Sequence, residues 1–149
     1  MSEPVASRRE MATQFGADLL HDPRESNLQE FIKDHNGGNG ANIAAEAVGQ
    51  PNLVAKCFEV VRPRGQVLMI GVNPEGAALP VDMYDIHYRE ITLKGAFGRG
   101  DVFARTPAEI DTLNLDGVIS DHYGLQDVPQ AIIDSGEGKG VKFVIKPHR

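Results

Sequence analysis

The chain has 149 residues, 41% of them hydrophobic and 24% charged, which suits one domain with a buried core. Its net charge of −6 argues against a protein that binds nucleic acid non-specifically. No apolar run approaches the ~18 residues of a membrane span, and no signal sequence is recognisable before the first helix pattern. The single cysteine, Cys57, excludes an internal disulfide and a cysteine-rich zinc site, and it fits a cytoplasmic location.

The N-terminal part of the sequence contains two helix patterns and one strand pattern. Ser7 and Glu10 have the spacing of a capping box, and Gly16 is placed to end that helix. Residues 17–21 then have the pattern of a short strand. A second helix is predicted over 27–35, with Ser26 and Gln29 as a further capping box.

Three short apolar runs, over 43–48, 67–72 and 91–97, dominate the middle of the chain. The segments between them have helical periodicity, with Pro51 in the first turn of one helix and Asp82 as the N-cap of the other. Continuous apolar strands joined by helix-length crossovers are typical of a parallel α/β sheet. Ligands of such sheets bind beyond the carboxyl ends of the strands, which makes that edge the predicted site.

The C-terminal part contains two more helix patterns and a final strand. Thr106 as N-cap, Pro107 in the first turn and Glu109 at the third position predict a helix start. A further helix is predicted over 127–135, and a strand over 141–146.

An ordered set of segments carries a family resemblance. The set is Ala45-Glu46-Ala47-Val48-Gly49, Val61-Arg62-Pro63-Arg64-Gly65, Ile70-Gly71-Val72, Leu93-Lys94-Gly95-Ala96-Phe97 and Gly140-Val141-Lys142-Phe143-Val144-Ile145. In this order the segments resemble the medium-chain dehydrogenase/reductase superfamily, and within it the zinc alcohol, sorbitol and threonine dehydrogenases. The likeness covers nearly the whole chain.

The resemblance implies an α/β fold with a partial Rossmann-type, mostly parallel sheet and helices on both faces. Members begin with a catalytic domain that holds the zinc ligands, and no part of this sequence is similar to it. The first Rossmann strand and its glycine-rich turn are also absent. Residues 1–105 are therefore predicted to be a truncated coenzyme-binding domain. Residues 106–149 are predicted to be the helices and strand that in relatives return to the catalytic domain.

The resemblance assigns two groups of coenzyme-binding residues. In the first, Glu3 matches an acidic residue that binds the adenosine ribose and disfavours a 2′-phosphate, Arg8 matches a residue against the adenine, and Lys142 matches one that reaches the pyrophosphate. Each of these is also explained as a solvated side chain. Glu3 favours NAD over NADP, whereas Arg8 with Arg9 could instead favour the 2′-phosphate.

The second group lies at the carboxyl ends of the central strands. Val48 and Gly49 would line the adenosine side of the cleft, Ile70, Gly71 and Val72 would lie near the nicotinamide, and main-chain atoms of Ala96 and Phe97 would bind the carboxamide. The glycines also suit ordinary strand-ending turns, and both interpretations hold together. The five histidines show no metal-ligand spacing, so no catalytic or metal-binding residue is predicted.

The implied reaction is hydride transfer between a secondary alcohol and nicotinamide, with zinc polarising the alcohol oxygen in the full-length enzyme. This chain by itself is expected to show little or no activity. Two alternatives stay open. The chain could be a non-catalytic fragment that dimerises or binds nucleotides, or part of a zinc-free quinone reductase-type enzyme.

The absent first strand predicts a second chain as partner. In the strand order 3-2-1-4-5-6 that strand lies in the middle of the sheet. Its absence leaves the strand at 41–48 with an unpaired edge, which we expect to be covered by a swapped element of a second copy or by residues 17–21 shifted beside it. A dimer could also pair through the 91–97 strand, as relatives often do.

Overall fold

The computed structural model describes residues 1–98, 100–110 and 112–148. The chain forms two compact units. The central unit is Ser26–Gly100, and the terminal unit combines Met1–Glu25 with Asp101–Arg149. This division into compact units does not test the predicted boundary between residues 105 and 106, which stays a prediction.

The elements alternate between helix and strand along most of the chain. In order they are α1 (Ala6–Gln14), α2 (Leu28–His35), β1 (Ala41–Glu46), α3 (Pro51–Val60), β2 (Val61–Met69), α4 (Met83–Tyr88), β3 (Thr92–Gly95), α5 (Gly100–Ile110), β4 (Ile119–Gly124), α6 (Val128–Gly136) and β5 (Lys142–Lys146).

A three-stranded parallel sheet in the order β1-β2-β3 forms the centre of the central unit. Ala44 pairs with Val67, which pairs in turn with Leu93, so these three side chains share one face. Both crossovers contain a helix, α3 or α4, as a parallel sheet requires. The prediction of a mostly parallel α/β sheet is confirmed.

The core of the central unit lies on one face of this sheet. Its buried members are Ala44, Val54, Phe58, Val60, Val61, Val67 and Ile91. The side chains that alternate with these along β1 and β2 point to the other face and are exposed. Ile43 is 59% exposed, and Ala45 and Gln66 are also open to solvent. The resemblance implied helices on both faces, whereas the side chains of this sheet are buried on one.

Each central strand ends before the apolar run that predicted it. The runs extend to residues 48, 72 and 97, but β1 ends at Glu46, β2 at Met69 and β3 at Gly95. β2 also begins earlier than predicted, at Val61, because the register jumps from Ala41↔Val61 to Ile43↔Gln66 and leaves 62–65 as an unpaired bulge. The apolar residues after the strand ends therefore form turns at the predicted binding edge.

Three helix starts were assigned with different success. Asp82 caps α4 as predicted, by accepting a hydrogen bond from the Tyr84 amide at 2.8 Å. The cap of α2 is Asn27 and not Ser26, since the Asn27 oxygen accepts from two amides of the first turn. The capping box at Ser7 is wrong, because α1 already begins at Ala6 and its N-cap, Val5, has no oxygen in its side chain.

The predicted helix start at Thr106 is also wrong. α5 begins at Gly100 and runs through Pro107. The Thr106 hydroxyl donates to the carbonyl of Val102, one turn earlier, instead of capping. A proline inside a helix leaves a carbonyl without its amide partner, and the exposure of Phe103 and its neighbours lets water satisfy it.

The terminal unit contains a second parallel pair, β4 with β5, and one isolated bridge. β4 is missing from the sequence prediction because Asp121 and His122 interrupt its apolar pattern. His21 bridges to Ser2 in parallel, so the predicted strand over 17–21 is reduced to this contact. The idea that 17–21 moves beside β1 is therefore wrong. Among the described residues, β1 pairs only with β2.

Replacing Val67 by alanine should destabilise the protein by about 2–3 kcal/mol, because its fully buried side chain would leave a cavity. Val67 is 0% exposed, whereas Val72 is 72% exposed and serves as the matched control. Urea unfolding of both alanine variants tests this. Equal midpoints for the two variants would contradict the position of the core.

Candidate functional site

The turns after β1 and β2 lie in direct backbone contact. Gly49 has a φ of +92°, and a Cβ at that position would lie 2.3 Å from the carbonyl oxygen of Val72. A Cβ on Gly71 would lie 2.1 Å from the Gly49 nitrogen and 2.7 Å from that of Val48. Neither position has room for a side chain. The structure therefore brings the two predicted turns together, and only glycine fits where they meet.

An apolar cavity of about 510 Å³ opens beside this contact, at the carboxyl ends of β2 and β3. Four predicted residues line it, namely Gly71, Val72, Ala96 and Phe97. Three others, Val48, Gly49 and Ile70, lie in the adjoining turns but do not line it. The remaining lining residues are Pro51, Val54, Met69, Asn73, Ala77, Ala78, Leu79, Leu93 and Gly95.

Two hydrogen bonds fix the wall of the cavity, one between main-chain groups and one from a side chain. The Ala96 amide donates to the Met69 carbonyl at 2.9 Å, which ties the segment after β3 to the end of β2. Asn73 donates weakly to the Gly71 carbonyl at 3.4 Å, while its Oδ1 is buried and has no hydrogen-bond partner among the described residues. This oxygen is therefore a buried, unpaired acceptor and is not open to the cavity that Asn73 lines.

Sequence reasoning missed Glu46, the last residue of β1. Its side chain is buried, at 3% exposure. Oε1 accepts hydrogen bonds from the amides of Val48 at 2.8 Å and Gly49 at 2.7 Å. The available signal was an acidic residue inside an apolar run and three positions before a glycine, because a charge in such a place is rarely buried without partners.

Cys57, on α3, is a half-buried thiol packed against the core of the central unit. Burial raises its pKa to about 11, and the nearby charge of Glu46 contributes in the same direction. A thiol with a raised pKa is a poor nucleophile at neutral pH, so this environment suits a packing role for Cys57.

The other predicted site residues lie in the terminal unit, in local contacts. The Glu3 carboxylate accepts from the Val5 amide at 2.9 Å, and the Arg8 guanidinium donates to the Gly140 carbonyl at 3.2 Å. Lys142 begins β5 with an exposed side chain, two residues after the carbonyl that Arg8 binds. Their roles toward a coenzyme stay predictions.

The described part of the chain gives no further ligand set. Within residues 1–98, 100–110 and 112–148, no three histidine, cysteine, aspartate or glutamate residues are grouped to hold a metal ion. In the same ranges, no helix is long and apolar enough to cross a membrane.

Comparison with known proteins gives a consistent result. A family model described as zinc-binding dehydrogenase matches residues 1–115. The L-threonine 3-dehydrogenase of Thermococcus kodakarensis is 28% identical over 154 residues, covering 100% of this chain and 44% of that protein. Geraniol dehydrogenase of Castellaniella defragrans is 32% identical, covering 96% of this chain and 40% of that protein. The chain thus spans less than half the length of these relatives.

Solved structures share the fold. A Sinorhizobium meliloti protein described as a zinc-binding dehydrogenase bound to NADP has a TM-score of 0.85 at 24% identity, covering 98% of this chain and 44% of that one. The 2R,3R-butanediol dehydrogenase of Bacillus subtilis has a TM-score of 0.82 at 22% identity, covering 99% and 43%. These likenesses confirm the Rossmann-type fold class.

Gly71→Ala should lower the free energy of unfolding by about 1–3 kcal/mol, because the added methyl group overlaps backbone atoms that cannot move independently. Gly95→Ala is the matched control, since a Cβ there meets only the Met69 Cε at 3.9 Å. Thermal or urea unfolding compares the two variants. A Gly71→Ala protein as stable as the Gly95→Ala protein would contradict the close approach of the two turns.

Proposed function

Since the chain belongs to the zinc-binding dehydrogenase family, we propose that it is the coenzyme-binding portion of an NAD(P)-dependent alcohol or polyol dehydrogenase. The observation that carries this proposal is the apolar cavity at the carboxyl ends of β2 and β3, beside the contact between Gly49 and Gly71. In parallel sheets that edge is where nucleotide ligands bind.

The residues around the cavity suit a nicotinamide ring. The ring needs an apolar wall, which Val54, Leu93 and Phe97 offer. Its carboxamide needs polar partners, and main-chain atoms of Ala96 and Phe97, which line the cavity, are proposed for that role. When bound, a nicotinamide dinucleotide supplies the carbon that accepts or donates the hydride.

This chain's own part would be to bind and orient the dinucleotide. The missing side chains at Gly49 and Gly71 let the two turns pack closely together beside the cavity, and the apolar wall would exclude water from one face of the ring. Glu3, Arg8 and Lys142 are proposed for the adenosine and pyrophosphate end. Because Glu3 favours NAD, NAD is our preferred coenzyme. One structural relative is described as bound to NADP.

The substrate class and the activity of a whole enzyme are proposed from the names of similar proteins. Their names include dehydrogenases of L-threonine, scyllo-inosose and geraniol, which supports an alcohol or polyol without selecting one. Zinc would be held by a catalytic domain, to which no part of this sequence is similar. We therefore expect the chain by itself to show little or no turnover. Its one free cysteine supports a reducing compartment, and we propose the cytoplasm.

A second candidate, a dimerising module, is favoured by the edges of the central sheet. Among the described residues, β1 and β3 each pair on one side only. An unpaired edge offers its amides and carbonyls to another strand. No feature of the described residues favours a zinc-free quinone reductase over the zinc-type family.

Titration with NADH should show saturable binding, and Val72→Asp should weaken it by at least about tenfold, because a carboxylate in the apolar wall repels the dinucleotide and is costly to bury. Met83→Asp is the control, as Met83 is equally exposed and does not line the cavity. Isothermal calorimetry or NADH fluorescence measures the dissociation constant. No binding by the wild-type chain would support the non-catalytic alternative.

Sedimentation velocity at micromolar concentration should show a dimer or larger species, because pairing would satisfy the exposed backbone groups of β1 or β3. A monomer across the whole concentration range would refute both the swapped element and the pairing of 91–97.

A further inference from the structure

Glu46 joins the ends of β1 and β2, beside the proposed coenzyme site. Through its side chain, Oε1 accepts from the amides of Val48 and Gly49. Through its main chain, the carbonyl accepts from the amides of Ile70 at 2.8 Å and Gly71 at 2.9 Å. One residue thus fixes the backbone on both sides of the contact between the turns.

The carboxylate also lies at the start of α3. Oε1 is 3.4 Å from the amide of Gln50, the N-cap residue of that helix. Amides at a helix N-terminus carry partial positive charge and bind anions. Here the protein's own carboxylate takes that place, so these amides are directed inward to Glu46 and not outward to a phosphate.

The second oxygen, Oε2, distinguishes Glu46 from a residue that serves stability alone. It is buried and has no hydrogen-bond partner among the described residues. A Cβ on Gly71 would lie 2.8 Å from it, so Oε2 lies directly behind a residue that lines the cavity. An unpaired buried acceptor lowers stability, which a purely structural role would not require.

We propose that Glu46 is a positioning residue for the dinucleotide, which holds the turns at Val48–Gly49 and Ile70–Gly71 in the shape that the coenzyme binds. This inference rests on the proposed function and names the residue that prepares the site. Glu46 itself does not line the cavity, so it acts through the backbone and not by touching the ligand.

The test compares Glu46→Leu with Glu46→Gln in the full chain. Leucine keeps most of the volume and removes both acceptors, whereas glutamine keeps one oxygen for the two amides. NADH affinity should fall at least about tenfold in Glu46→Leu and stay within about threefold of wild type in Glu46→Gln. Hydrogen exchange of the Val48 and Gly49 amides should be faster in Glu46→Leu only.

Val67→Ala is the matched control for lost stability. The substitution removes packing in the core and leaves the residues of both turns unchanged. It should retain wild-type NADH affinity below its unfolding midpoint. If Glu46→Leu does not fold, Glu46→Asp decides in the same assays, since its shorter side chain draws the acceptor away from the amides and should weaken binding.

Two outcomes would overturn the proposal. One is wild-type NADH affinity in Glu46→Leu or Glu46→Asp, and the other is an equal loss in Val67→Ala. If the wild-type chain itself binds no NADH, the proposed function fails and amide exchange alone decides. Faster exchange in Glu46→Leu but not in Glu46→Gln then supports the positioning of the turns, and unchanged exchange refutes it.

Discussion

The contact between the turns after β1 and β2 is the constraint on which the candidate site depends. Glu46 and Met69 form the last pair of β1 and β2, so the two strands end at the same level. The turns that follow them therefore lie side by side. Two glycines meet there with no room for a Cβ, and the Glu46 carboxylate satisfies amides that the turn would otherwise bury unpaired. The cavity opens beside these turns.

Much of the central unit was predictable from sequence because its signals are local. Continuous apolar runs identified three parallel strands, Pro51 and Asp82 marked helix starts, and the usual position of ligands in parallel sheets indicated the strand ends as the site. Four of the predicted residues line one cavity. The exact strand ends were less predictable, because an apolar residue continues the pattern whether it pairs in a strand or lines a turn.

The errors arose where tertiary contacts compete with local signals. Ser26 and Asn27 are both good caps, and Asn27 is the cap in the structure because α2 begins at Leu28. Pro107 looks like a helix start until an exposed helix accommodates it. Glu46 was overlooked because its role depends on turns that fold back onto it from two strands, a relation that no short window of sequence contains.

The two edges of the central sheet are not equally protected. β3 carries the exposed Lys94, a charge of the kind that discourages uncontrolled strand addition. β1 has no lysine or proline, its glutamate points inward, and Ile43 is open to solvent. Aggregation of this polypeptide at high concentration would therefore begin at β1. The unpaired backbone groups of β1 would bind exposed strands of other molecules, which would limit the concentration at which the chain can be expressed and stored.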